Sequence, residues 1–158
     1  MLKEYLKAMI TGMEAKTECL DKLQQKTDSQ TELLKAEEMD WDAFDALVDE
    51  KDALIDELDK LDDGFQSVFE RIKDELQAHK PEYKDSIARL QEQIKQVTAQ
   101  STSLMASEQR NKELAEKHFA SAKRGIRQSK TTSRAAANYY ANMNQINYID
   151  PQLMDKKK

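Results

Sequence analysis

The sequence predicts an all-α fold, an elongated antiparallel bundle of three long helices with coiled-coil-like packing and a partly irregular C-terminal tail. Three observations carry that prediction. First, 158 residues contain only three glycines and two prolines. A β-sandwich or barrel turns every 8–12 residues or so and uses such breakers to do it. Second, 35% of the residues are charged while 39% are hydrophobic and 6% aromatic. That balance suits helices that bury one stripe and solvate the rest. Third, apolar residues recur at alternating spacings of three and four, the period of a helix presenting a seam to a partner.

The first helix is expected over about 2–38. Leu2, Leu6, Met9, Met13, Leu20, Leu23 and Leu34 follow the seam spacing, with Lys16, Thr27 and Gln30 as polar members of the same series. Polar seam residues weaken packing, so a looser or hydrated stretch is expected around Thr27 to Gln30. Asp40 is placed to cap the second helix, expected over 41–79, by accepting from the free N–H groups of its first turn. Its seam reads Phe44, Leu47, Lys51, Leu54, Leu58, Leu61, Phe65, Val68 and Ile72, with Val48, Ile55, Phe69 and Leu76 widening one flank. Gly64 falls inside this helix, where it permits a bend or a close approach. Gly12 has no assignment.

Pro81 removes a backbone donor and suits the first position of a third helix, expected over 82–127. Its seam runs Tyr83, Ile87, Leu90, Ile94, Val97, Ser101 and Leu104, then turns polar through Glu108, Asn111, Ala115 and His118. Either the register shifts there or the helix leaves its partner. Residues 1–127 thus form one bundle domain. Residues 128–158 read as a tail, with a short helix over 134–142. Asn142 to Tyr148 holds four Asn or Gln among seven residues, interleaved with Met143, Ile146 and Tyr148.

Charge divides unevenly. Residues 1–80 carry 11 Lys+Arg against 22 Asp+Glu, a net −11, and residues 81–158 carry 14 against 8, a net +6. Lys117, Lys123, Arg124, Arg127, Lys130 and Arg134 form a basic run without acid. An acidic neighbour, in this chain or in a partner, fits that run better than nucleic acid, because no stacking platform or recognised nucleic-acid fold accompanies it. No apolar run reaches a membrane span of roughly 18 residues. With one cysteine, no internal disulfide forms, and a soluble protein of a reducing cytosol is expected.

Chemistry is sparse. His79 and His118 are the only histidines, the residue type most used as an acid–base group. Cys19 lies beside the first seam and reads as a small apolar residue. The acidic cluster Asp49, Glu50, Asp52 and Asp56 lacks the Glu-x-x-His pairs of a carboxylate-bundle metal site and the Gly of a calcium loop. We therefore expect neither an enzyme nor a cofactor nor a metal site. Two apolar sets are candidates for partner binding: Leu104, Met105, Leu114, Phe119 and Ile126 on the third helix, and Tyr139, Tyr140, Ile146 and Tyr148 in the tail. Bundle core is the alternative for the first set, and packing back on the bundle for the second.

The run Asp40-Trp41-Asp42-Ala43-Phe44-Asp45-Ala46-Leu47-Val48-Asp49-Glu50-Lys51-Asp52-Ala53-Leu54-Ile55-Asp56-Glu57-Leu58 resembles the FlgN family of flagellar export chaperones. Leu47, Glu50, Lys51, Leu54 and Leu58 match its Leu-x-x-Glu-Lys-x-x-Leu core inside a long amphipathic helix. The related FliT-type chaperones stay open. The closing Tyr148-Ile149-Asp150 and Asp155-Lys156-Lys157-Lys158 are similar to tails of clostridial-type members. The resemblance implies a cytosolic, non-enzymatic chaperone of flagellar type III export. Such a chaperone binds the C-terminal amphipathic helices of hook–filament junction proteins (FlgK- and FlgL-like subunits), prevents their premature assembly and delivers them to the export gate. A self-associating coiled-coil adaptor, with a homodimer as its assembly, is the competing expectation. A coil sufficient to itself should keep its seam past Leu104. Lys51 falls on the seam, either as a register-setting polar residue or in direct contact with a partner.

Overall fold

The computed structural model describes residues 1–125, and it is all-α over that span. Helix α1 spans Leu2–Lys35 and α2 spans Trp41–Ala78. A 3-10 turn, Lys80–Tyr83, leads into α3, Lys84–Gly125. Asp40 caps α2 as its side chain requires, Oδ1 accepting from Ala43 N at 3.1 Å. Pro81 opens the 3-10 turn rather than α3 itself, so α3 starts two residues later than expected. The tail expectations, including Ile126, Tyr139, Tyr140, Ile146, Tyr148 and the helix over 134–142, lie outside the described residues.

Helix α1 is the middle rod. All ten positions of its seam are buried, the polar Lys16, Thr27 and Gln30 included. Its two edges serve different neighbours. On one edge the bonds to α3 repeat every heptad: Gln93 Nε2 donates to Ile10 O (3.1 Å), Gln100 Nε2 to Thr17 O (3.4 Å), and Gln24 Nε2 to Ser107 Oγ (3.2 Å). A constant offset of 83 residues marks a parallel pair in fixed register. On the other edge, Cys19 Sγ donates to Leu54 O (3.3 Å), Lys26 pairs with Glu50 (2.9 Å) and Lys16 with Asp62 (2.6 Å), the descending partner numbers of an antiparallel pair.

The seam of α2 differs from the expected one. Its buried residues are Phe44, Val48, Lys51, Ile55, Leu58, Phe69, Ile72 and Leu76, while Leu47, Leu54, Leu61, Phe65 and Val68 are half-buried. Phe44, Lys51, Leu58 and Ile72 keep their expected places, while the expected flank of Val48, Ile55, Phe69 and Leu76 is buried in place of the other five. The buried register passes through Asp62 rather than the apolar Leu61 beside it, and Asp62 half-buries against the buried ammonium of Lys16. Burial pushes the Asp62 carboxyl upward and the adjacent Lys16 charge opposes that push.

Two further expectations are corrected. Thr27 and Gln30 are each 0% exposed, so that stretch is closely packed. The α3 seam neither shifts nor leaves the bundle: Leu104, Glu108, Asn111 and Ala115 are all buried, and His118 Nε2 donates to Leu34 O at 2.9 Å. Polar seam residues of α3 meet polar seam residues of α1, which is why a hydrophobic pattern could not follow them.

Candidate functional site

Helices α2 and α3 both pack closely on α1, yet their own backbones hardly come within 8 Å of each other. Long side chains bridge the gap. At one end the Trp41 ring stacks on Phe119, with centroids 5.2 Å apart and planes inclined by 20°, and meets Phe44 edge-on at 6.1 Å. Midway, Lys51 Nζ pairs with Glu108 Oε2 at 2.6 Å and donates to Gln30 Oε1 at 2.5 Å, tying all three helices together. Thr27 Oγ1 stands 3.2 Å from Glu108 Oε2 and 2.7 Å from Leu23 O, two acceptors for its one proton. One turn on, Asn111 Nδ2 donates to Thr27 O at 3.0 Å, and Thr31 Oγ1 donates to Asn111 Oδ1 at 2.7 Å.

Lys51 is fully buried and Glu108 nearly so. Burial pushes the Lys51 ammonium down to about 8, against the charge and hydrogen bond of Glu108 and the charge of Asp52. Burial raises the Glu108 carboxyl, against the charge and hydrogen bond of Lys51 and the hydrogen bond of Thr27. Two ions in a dry interior cost desolvation that their attraction only partly returns. Such a pair adds little net stability and penalises any register that separates its members.

At the opposite end from Trp41 the gap opens into a cavity of about 310 Å³. Met9 forms part of its lining from α1, Phe69 and Leu76 from α2, and Ile87, Leu90 and Ile94 from α3. Lys73, Asp74, Gln77, Lys80 and Gln91 add polar groups. A cavity of that size, largely apolar, takes a few apolar side chains of a ligand.

The structure separates the sequence candidates. Leu104 is 1% exposed and belongs to the core. Leu114 is half-buried on the α3 edge that continues Gln93, Gln100 and Ser107, the edge turned to α1. Met105 and Phe119 are half-buried on the edge turned to α2, with Phe119 against Trp41. Of the five residues matching the family core, Leu58 and Lys51 are buried, Leu47 and Leu54 half-buried, and Glu50 is exposed and paired with Lys26. Lys51 has no surface to offer a partner. The cavity was not among the sequence candidates. Its residues come from three helices and read, one helix at a time, as ordinary core. The usable signal was the widening of the second helix's stripe at Phe69 and Leu76, two residues that line the cavity.

Cys19 is buried, and burial, followed by the nearby Glu57 carboxylate, pushes its thiol up to about 11, away from nucleophilic use. Among the described residues no cluster of three or more His, Cys, Asp or Glu could hold a metal ion, and no helix is long and apolar enough to cross a membrane.

A three-helix bundle with an apolar cleft between two of its rods and a buried ionic clasp is a scaffold for binding another chain. The class is confirmed by comparison: the chain belongs to the FlgN protein family, whose model matches residues 1–145. It is accordingly a flagellar export chaperone by family. Searches of curated proteins and of solved structures each returned no significant match.

Proposed function

We propose that this chain is a cytosolic chaperone that captures the C-terminal amphipathic helix of a hook–filament junction subunit, of the FlgK or FlgL type, in the cleft between α2 and α3. Capture keeps the subunit from assembling early and presents it to the export gate. The observation that carries the reading is the separation of α2 from α3 around an apolar cavity in a chain of the FlgN family. The mechanism is burial of apolar surface on a preformed frame, with no bond made or broken. About 800 Å² buried on each partner supports micromolar to nanomolar binding, depending on how well the anchors fit. Met105 and Phe119 on the α3 lip, and Tyr139, Tyr140, Ile146 and Tyr148 beyond the described residues, remain the proposed additional contacts.

Titration calorimetry of the full chain with the C-terminal segment of a junction subunit from the same organism tests the proposal. A 1:1 complex with a negative heat-capacity change is expected. Absence of binding to every such segment would overturn it. The seam retained past Leu104 favours one competitor, a self-associating coil. That competitor requires a melting temperature that rises with protein concentration and ignores the segment.

A further inference from the structure

The cleft has two unlike lips. In the heptad register of α2, the positions that line the cavity at Lys73, Gln77 and Lys80 continue toward the N-terminus through Glu70, which pairs with Lys73, and Gln66 to Asp63, Asp59, Asp56, Asp52 and Asp49. Spacings of three and four keep them on one edge of the helix. All five are half-buried or exposed, and none makes an ion pair among the described residues. The facing lip on α3 follows Lys84, Gln91, Thr98, Met105, Lys112 and Phe119, with two lysines and no acid. The acidic charge of the cleft therefore lies on α2 alone.

Five carboxylates at this spacing repel one another. Burial raises the Asp52 and Asp59 carboxyls, and their neighbours raise them further: Asp49 and Asp56 around Asp52, Asp56 and Asp63 around Asp59. Cations brought alongside relieve that repulsion, so the edge favours one sign of partner and rejects the other.

We propose that the occupant of this cleft is an amphipathic helix of a partner protein that carries a row of Lys or Arg on one flank of its apolar stripe, its apolar anchors entering the cavity and its basic flank lying along Asp49–Asp63. This names the chemistry of the occupant and rests on the capture reading above. From Asp49 to the cavity at Lys80 the edge runs about 45 Å at 1.5 Å per residue, so a helix of some 20 residues, about 30 Å, reaches the cavity and much of the acidic edge together. The geometry also fixes direction. Acid lies toward the Trp41 end and apolar depth toward the 3-10 turn, so the basic flank extends from the anchors toward Trp41.

Two synthetic helical peptides with the same leucine stripe test the proposal, one flanked by Lys and one by Glu, titrated into the full chain at low and high salt. The Lys-flanked peptide is expected to bind about ten-fold tighter or better at low salt, with the preference shrinking as salt screens it. The variant D49N/D52N/D56N/D59N/D63N changes surface groups, and its fold is checked by circular dichroism. It is expected to bind both peptides alike. Equal binding of the two peptides to the native chain, binding of neither, or an unchanged preference in the Asn variant would each overturn the proposal. So would a preference that emerges only after Lys123, Arg124, Arg127, Lys130 and Arg134 are changed to Gln, because the chain's own basic run would then be the occupant. A junction segment that binds the native and Asn variants equally overturns only this inference. Binding of the Lys-flanked peptide without any junction segment overturns the capture reading instead.

Discussion

At the scale of single residues, Lys51 and Glu108 control the most energy. Replacing Lys51 by Met strands a buried carboxylate beside Thr27 and Gln30, and a loss of about 3–5 kcal/mol in urea unfolding is expected. Replacing both, as K51M/E108L, removes the stranded charge and is expected to recover most of that loss. The pH dependence has a definite sign. In the folded chain Lys51 gives up its proton near pH 8, against 10.5 for an ordinary lysine. Between those values the unfolded chain holds more protons, so this group makes stability rise with pH, by at most about 3 kcal/mol, and contributes no slope below pH 8. Unfolding of native chain and K51M/E108L across pH 7.5–10 isolates it as the difference between the two curves. The sequence placed Lys51 on a seam correctly, since spacing is local. Its partners were not legible, because Gln30 and Glu108 lie 21 and 57 residues away and nothing in the spacing chooses between them and solvent.

At the scale of elements, the ends and interiors of the helices behave as local chemistry requires. Asp40 leaves its carboxylate on Ala43 N, and D40A is expected to cost about 1 kcal/mol of stability through α2 alone. Gly64 has no close neighbour: a Cβ built there meets nothing within 4 Å. Gly12 is the same. G64A on the exposed face is therefore expected to stabilise by about 0.5–1 kcal/mol, read as a higher urea midpoint at unchanged slope. The seam of α1 was legible throughout because its apolar members outnumber the polar ones. That of α2 was misplaced by one edge because both of its edges are apolar, Leu47, Leu54, Leu61 and Val68 on one and Val48, Ile55 and Phe69 on the other, and spacing alone does not choose between them.

For the whole molecule, the aromatic stack and the clasp set how far α2 stands from α3. Trp41 is the only tryptophan, and it rests on Phe119. F119A is expected to expose the indole, seen as stronger acrylamide quenching and a red-shifted emission, and to weaken the Trp41 end of the cleft without unfolding α1. Binding of a client helix should instead leave Trp41 stacked while the cavity end fills. The two responses distinguish opening of the cleft from occupation of it.

The sequence by itself determined that the chain is helical, where the breaks fall, which face of α1 is buried and which family the second helix resembles. These follow from backbone propensity, capping and a 3–4 period, all read within a few turns. The tertiary structure alone decided which polar seam residues are neutralised by one another, that α3 stays in register past Leu104, and that, among the described residues, a cleft opens between α2 and α3. Each of these depends on the distance between helices, which is fixed by the summed packing of α1 against both neighbours and is written at no single position.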